Sequence, residues 1–285
     1  MTTQEVQPGH LYIVATPIGN LGDLSPRALK ILDSVDLIAA EDTRVTGAML
    51  AHFGLRTKML ALHEHNEADV AAIVIDELKR ERSVALVSDA GTPLISDPGY
   101  ALVRLARAAG ITIIAVPGPS AVLAALSISG LPTDAFVFAG FLPAKPAARR
   151  QALRELAGDT RTVILYESTH RILDSLETLV EVLGPGRRVC LARELTKLYE
   201  ESHTAPVAEL LDWVKADDNR QRGEFVLVIE GASAEAAGPR EAERILKTLL
   251  SELGASRAAK VAAELTGLPR KELYALALRL TGHTP

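Results

Sequence analysis

Residues 84–99 read VALVSDAGTPLISDPG, and the architecture follows from how that stretch changes character. VALVSD (84–89) opens as an unbroken aliphatic run, the pattern of a strand buried on both faces, and ends on a hydroxyl and a carboxylate. A loop rich in glycine and proline follows. A helical pattern then occupies 98–109, and ITIIAV (111–116) is the next aliphatic run. The same alternation extends toward the N-terminus. LYIVAT (11–16), DLIAAE (36–41) and KMLALH (58–63) read as strands. Between them lie a helix from Ser25-Pro26 to about 34, a helix over 43–53 stopped by Gly54, and a helix over 66–80. Ser25-Pro26 pairs an N-cap residue with proline at the first helical position. Strands separated by helices through short loops predict an α/β fold, a mainly parallel sheet covered by helices.

A second βα set begins near residue 135. It comprises AFVFAGF, a helix from about 146, RTVILYE (161–167), a helix at 169–183, RRVCLAR (187–193), a helix near 205–216 and EFVLVIE (224–230). SGLPTD (129–134) marks the boundary between the sets, and an Ala-, Gly- and Ser-rich linker over 231–239 closes the second. Three short helices follow, about 241–253, 255–265 and 269–280. The expected domains are therefore 1–130, 131–238 and 239–285. The last reads either as a helix-turn-helix-like module or as a helical cap on the second domain.

At 285 residues the chain has room for about two domains. With 48% hydrophobic and 24% charged residues it is an ordinary globular sequence, not a disordered one. Aromatics are only 4%, which argues against binding single-stranded nucleic acid on exposed rings. The single Cys190 and an N-terminal MTTQEVQPGH without a basic or apolar leader pattern point to a cytoplasmic protein. Residues 111–133 carry no charge, but Pro117-Gly118-Pro119 divides them into a strand and a helix, so no membrane span is expected. The net charge is −5, unlike a protein that coats nucleic acid. Within it, 239–285 hold eight Lys/Arg against five Glu. That basic tail reads either as a polyanion contact or as a solvated helical surface.

Familiar nucleotide fingerprints are missing: there is no G-x-x-x-x-G-K-[ST] and no G-x-G-x-x-G after the first strand. His63-Glu64-His65 places two imidazoles at i and i+2, either a polar strand end or part of a zinc site lacking a nearby third ligand; no metal is expected. What remains is a set of loops after the strands, where open α/β sheets bind ligands. They are TPIGNLGDLSP (16–26), EDTR (41–44), SDAGTPLISDPG (88–99) and PGPSAV (117–122).

These loops, with LHEHNE, LYESTHRI, ARELTKLYEE and GEFVLVIEG, resemble the signatures of the tetrapyrrole-methylase-like (class III) S-adenosylmethionine methyltransferases over about residues 10–232. Within that family they are similar to members that 2′-O-methylate a cytidine, numbered 1402, in 16S ribosomal RNA of the small subunit. The resemblance implies two α/β domains with a donor trough between them, an appended helix-turn-helix-like module, S-adenosylmethionine as donor and a homodimer. It implies donor contacts at Pro17, at Ser88, Asp89, Ala90, Gly91, Thr92, Leu94 and Ile95, and at Ser120 and Ala121. From the second domain it implies Tyr166 and Glu167, Leu191 and Ala192, and Glu224 and Phe225. Gly91-Thr92-Pro93 stands where tetrapyrrole enzymes carry Gly-Asp-Pro, so a hydroxyl replaces a carboxylate.

A ribose hydroxyl must lose its proton as the methyl arrives, which calls for a base or a stabilising cation. The candidates are Asp42 and Arg44 of EDTR and Glu194 and Lys197 of ARELTK, each pair having the plainer reading of a local salt bridge. Lys197 could serve neutral as a base or charged as a stabiliser. For the RNA, Lys145, Arg149, Arg150 and Arg154 occupy a stretch without acids, and Arg257, Lys260, Arg270 and Lys271 lie in the basic tail. The alternatives are a tetrapyrrole methyltransferase and an RNA-binding assembly factor without catalysis.

Overall fold

Ser25 opens the first long helix as its sequence predicts: its Oγ accepts from the Ala28 N–H at 3.1 Å, with Pro26 next in line. In the computed structural model residues 5–281 are described, with the side chains of 234–241 left aside. The ends 1–4 and 282–285 of the expected domains, and the side chains of Arg240 and Glu241 in the basic tail, fall outside the described residues.

The first sheet comprises β1 (Leu11–Val14), β2 (Leu37–Ala40), β3 (Met59–Ala61), β4 (Val84–Val87) and β5 (Ile113–Val116) in the order β3-β2-β4-β1-β5. All its pairings are parallel. Its helices are α1 (Pro26–Ser34), α2 (Thr43–His52), α3 (Glu67–Lys79), α4 (Tyr100–Ala108) and α5 (Ala121–Ile128). Period-two alternation sends Ile38 and Ala40 to one face, against Ile31, Leu32 and Leu50 of α1 and α2. Ala39, Leu11 and Leu86 go to the other, against Val74, Leu78 and Leu102 of α3 and α4. Each fully buried Leu or Ile contributes about 1.5–3 kcal/mol. Because both faces are sealed, the free part of this sheet is its carboxyl-terminal edge, where the loops emerge.

The second sheet comprises β6 (Phe136–Phe141), β7 (Thr162–Ser168), β8 (Arg188–Arg193), β9 (Glu201–Pro206) and β10 (Glu224–Ile229), in the order β6-β7-β10-β8-β9. The helices α6 (Pro146–Leu156), α7 (Ile172–Leu183) and α8 (Val207–Lys215) bury one face of it. The sheet is mixed, since β6 runs parallel to β7 but β10 runs antiparallel to it. β9 stands where the sequence suggests only a connection into a helix. ESHTAP has no apolar alternation and ends in proline, so it gives no strand signal.

The C-terminal helices α9 (Ala234–Leu250), α10 (Ala255–Thr266) and α11 (Arg270–Leu280) share a core of Ala242, Leu246, Ala258, Ala259, Ala262, Leu273 and Ala277. Gly267, at φ +71°, ends α10 in the left-handed conformation. α9 begins inside the expected linker, because its alanines favour helix. Packing divides the chain into two units, Met1–Ala125 with Arg193–Glu201, and Leu126–Ala192 with Ser202–Pro285.

Candidate functional site

The loops at the carboxyl edge of the first sheet are tied to one another. Thr16 N–H donates to Gly91 O (2.9 Å) and Gly91 N–H to Thr16 O (3.1 Å). The Thr16 hydroxyl donates to Ser88 O at 3.1 Å. Thr92 Oγ1 donates to Pro119 O at 3.0 Å, so the hydroxyl that replaces a carboxylate here joins two loops. Asp42 N–H donates to Asp89 Oδ1 (3.0 Å) and Asp89 N–H to Glu41 Oε2 (3.2 Å), which brings in the EDTR loop. Gly91 sits at φ +82°, and a Cβ there would lie 3.3 Å from Ile18 Cγ2.

The ARELTK segment belongs to the same unit. Lys197 Nζ pairs with Glu194 Oε1 at 2.9 Å, both half-buried. The Lys197 stem covers Gly19: a Cβ on Gly19 would come within 2.4 Å of Lys197 Cγ. Of the non-glycine residues with positive φ among those described, Leu94 (73°), Ser96 (68°), Glu194 (50°) and Thr196 (66°) fall in these two loops. Each such conformation costs roughly 1–3 kcal/mol and persists only where its surroundings hold it. One of those holds is Glu67, whose Oε1 accepts from Gly99 N–H (3.0 Å) and Ala101 N–H (2.6 Å) at the start of α4. The sequence does not reveal it, because the partners are 32 and 34 residues away.

The acids of this edge are tuned apart. Burial pushes Asp97 up to about 6, opposed by the Ser88 hydroxyl and aided by the charges of Glu41 and Asp89. Burial also raises Glu41 and Asp89. Asp42 is the opposite case. The Arg44 side chain holds it at about 2, through contacts of 3.0 Å to Oδ1 and 2.5 Å to Oδ2. Its Oδ1 also caps α2 through Arg44 N–H at 2.8 Å. Held so low, Asp42 is a weak base near neutrality, and its ion pair with the largely exposed Arg44 braces the loop. Asp97, absent from the sequence-based candidates, carries the perturbed titration instead.

Most of the 88–99 loop lies at the surface or near it. Ala90 and Ile95 are exposed, while Asp89, Thr92, Leu94, Ser120 and Ala121 are half-buried. Pro17, Ser88 and Gly91 are buried. In the second unit, alternation splits every expected pair. Leu191 and Phe225 belong to the core beneath the helices. Glu167 is 2% exposed, and it accepts from Ser175 Oγ (2.5 Å) and Ser168 N–H (2.8 Å) and pairs with Arg171 (3.3 Å). Neighbours in a strand face opposite ways, so Tyr166, Ala192 and Glu224 occupy the other face. The side chains of Glu167, Leu191 and Phe225 therefore face the helices.

Among the described residues no group of His, Cys, Asp or Glu is arranged to hold a metal ion. His63 and His65 lie 6.1 Å apart, ring to ring, in a turn where Asn66 Oδ1 accepts from His63 N–H at 2.8 Å. No helix among the described residues is long and apolar enough to cross a membrane.

Comparison with known proteins gives this arrangement its family. The model of the tetrapyrrole (corrin/porphyrin) methylases matches residues 10–211, and that of the RsmI C-terminal HTH domain matches 236–281. The chain belongs to the tetrapyrrole methylase family. It is 54% identical over 275 residues to ribosomal RNA small subunit methyltransferase I of Escherichia coli O157:H7, covering 96% of each chain. It is 56% identical over 268 residues to the protein of that name in Xylella fastidiosa (strain Temecula1), covering 94% of this chain and 98% of the relative. The crystal structure of the methyltransferase CobJ shares the fold, with a TM-score of 0.59 and 21% identity over 79% of this chain and 95% of that one.

In this tetrapyrrole methylase the expected RNA-binding side chains divide by exposure. Lys145, which precedes α6, and Arg154, on α6, are exposed, and Arg150 is half-buried with Glu181 3.8 Å away. Arg149 is 3% exposed, donating from Nε to Thr178 Oγ1 and from NH2 to Asp174 Oδ2, each at 3.2 Å. That corrects Arg149 from a phosphate contact to a tie between α6 and α7. Arg257, Lys260, Arg270 and Lys271 are all exposed on α10 and α11.

Proposed function

We propose that the protein transfers a methyl group from S-adenosylmethionine to the ribose 2′-hydroxyl of a cytidine in 16S ribosomal RNA, the cytidine numbered 1402. The observation that carries the reading is the Lys197–Glu194 pair seated over Gly19, in the same unit as the tied loops. Its support is the near-full-length identity to relatives named ribosomal RNA small subunit methyltransferase I.

The loops suit the donor chemically. The donor supplies a methyl carbon carried on a sulfonium cation. Glu41, Asp89 and Asp97 make the edge acidic, which favours a cationic guest. The strained 88–99 loop offers backbone carbonyls beside Gly91. Carbonyl dipoles hold a cation with less ground-state stabilisation than a carboxylate contact, so less is lost as that charge disappears. Ala90, Thr92, Leu94, Ile95, Ser120 and Ala121 would hold and orient the donor.

Lys197, held by Glu194, would present an ammonium that steadies the ribose oxygen as it bonds to the methyl carbon; the sulfonium leaves as a neutral thioether and the hydroxyl proton passes to the Glu194 carboxylate. Alignment of hydroxyl and methyl carbon supplies the larger part, on the order of 7–11 kcal/mol. Lys145 and Arg154 with the exposed cations of the 239–285 module grip the RNA backbone. The reading includes domains at 1–130, 131–238 and 239–285, a homodimer and a cytoplasmic location.

The test is mass spectrometry of small-subunit rRNA fragments from cells with and without the protein, paired with an in vitro assay using labelled donor. The expected result is one ribose methyl lost with the protein and restored in vitro. An unchanged methylation pattern together with no transfer in vitro overturns the reading.

A further inference from the structure

Aromatic residues are scarce in this chain, yet four of them gather on one face of the second sheet. The Phe138 and Phe141 rings meet the Tyr166 ring edge-on, with centroids 4.8 and 5.5 Å away. Phe136 lies two residues before Phe138 on the same strand. β6 is an edge strand of its sheet. Phe141 remains 53% exposed and Phe136 40% exposed.

Strict alternation places Phe138 and Phe141 on opposite faces, since they are three residues apart. The strand departs from it. Phe138 pairs with Ile164 and Phe141 with Tyr166, so β6 spends one residue more than β7 between those pairs. Gly140, at φ +65°, makes that bulge possible. The result returns Phe141 to the side of Tyr166 and leaves it half in solvent, a position that stability alone does not favour.

Charge indicates the occupant. From Ala135 to Arg154 there is no acid, and Lys145 and Arg154 are exposed. Lys145 follows Phe141 by four residues, at most about 14 Å of chain. A π-face followed closely by an unpaired-sign cationic surface suits a base and its phosphate.

We propose that Phe141, backed by Phe138 and Tyr166, is a stacking platform for an unpaired base of the RNA substrate. This rests on the methyltransferase reading and adds to it a residue that holds the strand by a base. The composition argument against aromatic platforms averages over the chain, whereas these rings are concentrated at one site.

The experiment measures binding of the full-length protein to a labelled single-stranded RNA and to the same RNA with one abasic position, by fluorescence anisotropy across a salt series. Phe141→Ala is expected to weaken binding roughly 5- to 150-fold, the range for one lost base stack. Phe141→Leu gives little recovery and Phe141→Tyr gives most of it. The salt slope stays unchanged, whereas Lys145→Ala lowers it. The Phe141→Ala penalty disappears on one abasic RNA. Affinity unchanged by Phe141→Ala overturns the proposal, as does full recovery by leucine or a loss of dimer mass, which assigns the face to a second copy. Absence of methyl transfer by the unaltered protein is a different failure, that of the parent reading.

Discussion

Lys197 occupies the space that a side chain on Gly19 would need, with Cγ at 2.4 Å and Cε at 3.1 Å from the position of the absent Cβ. Glycine at 19 is therefore a condition for where the ammonium sits. The contact joins residues 178 positions apart within one unit, and no local pattern announces it. Gly19→Ala forces the lysine stem and Thr196 Oγ1 aside and also strains the backbone, since Gly19 sits at φ +159°. Methyl transfer is expected to fall about 10- to 100-fold, the scale of an ångström-sized misplacement. Calorimetry with S-adenosylhomocysteine should show donor binding retained. Lys197→Ala removes the cation itself and is expected to abolish transfer, again with donor binding intact. Near-normal turnover in that variant removes Lys197 from the chemistry.

Arg149 and Lys145 make opposite predictions although they stand four residues apart in one basic stretch. Arg149→Ala breaks hydrogen bonds to Thr178 and Asp174. Asp174 is largely exposed, so its carboxylate is resolvated and the loss stays near 1–3 kcal/mol rather than the larger cost of an abandoned buried charge. Thermal melting should record a drop of several degrees with the salt slope of RNA binding unchanged. Lys145→Ala should do the reverse, leaving the melting temperature in place and lowering the slope by about one unit. Equal effects on both measurements for the two variants would refute the division.

The contrast shows what the sequence could convey. Strands such as VALV and LYIV declare themselves because burial on both faces leaves an unbroken aliphatic run. The loops declare themselves by their glycines and prolines. Side-chain direction is less legible. Arg149 shares its composition with exposed neighbours, and only the turn of α6 against α7 decides that it is buried. The adjacent pairs of the second unit are divided for a related reason. Tyr166-Glu167, Leu191-Ala192 and Glu224-Phe225 are adjacent in the sequence, but a strand sends adjacent residues to opposite faces. β9 escaped because ESHTAP is polar, and its place in the sheet comes from neighbours far along the chain.

Asp97 gives a pH signature with a definite sign. Its carboxyl titrates at about 6 in the folded protein, against an ordinary value of 3.8. The folded state therefore holds the proton more tightly than the unfolded one. This contribution is fully present below about pH 4 and is lost as pH rises through 6. Asp97→Asn keeps the shape and removes the buried charge. Its melting temperature should exceed that of the unaltered protein by a few degrees at pH 8 and converge with it near pH 4. A gain independent of pH would assign the effect to packing.

Glu67 supports the 88–99 loop from its far end. One carboxylate oxygen takes both Gly99 N–H and Ala101 N–H, at the first turn of a helix whose capping residue has no side chain to offer. The loop before it contains Leu94 and Ser96 at positive φ, and Gly99 itself has φ +124° with no room for a Cβ beside Leu86. Glu67→Ala leaves two donors open and is expected to cost about 1–3 kcal/mol. It should also weaken S-adenosylhomocysteine binding, because the loop loses the anchor that holds its strained conformation. Glu67→Gln retains an acceptor oxygen and should recover much of both. RNA affinity in the absence of donor should not move. If calorimetry shows that Glu67→Ala binds S-adenosylhomocysteine as tightly as the unaltered protein while melting earlier, the carboxylate stabilises α4 alone and plays no part in shaping the loop.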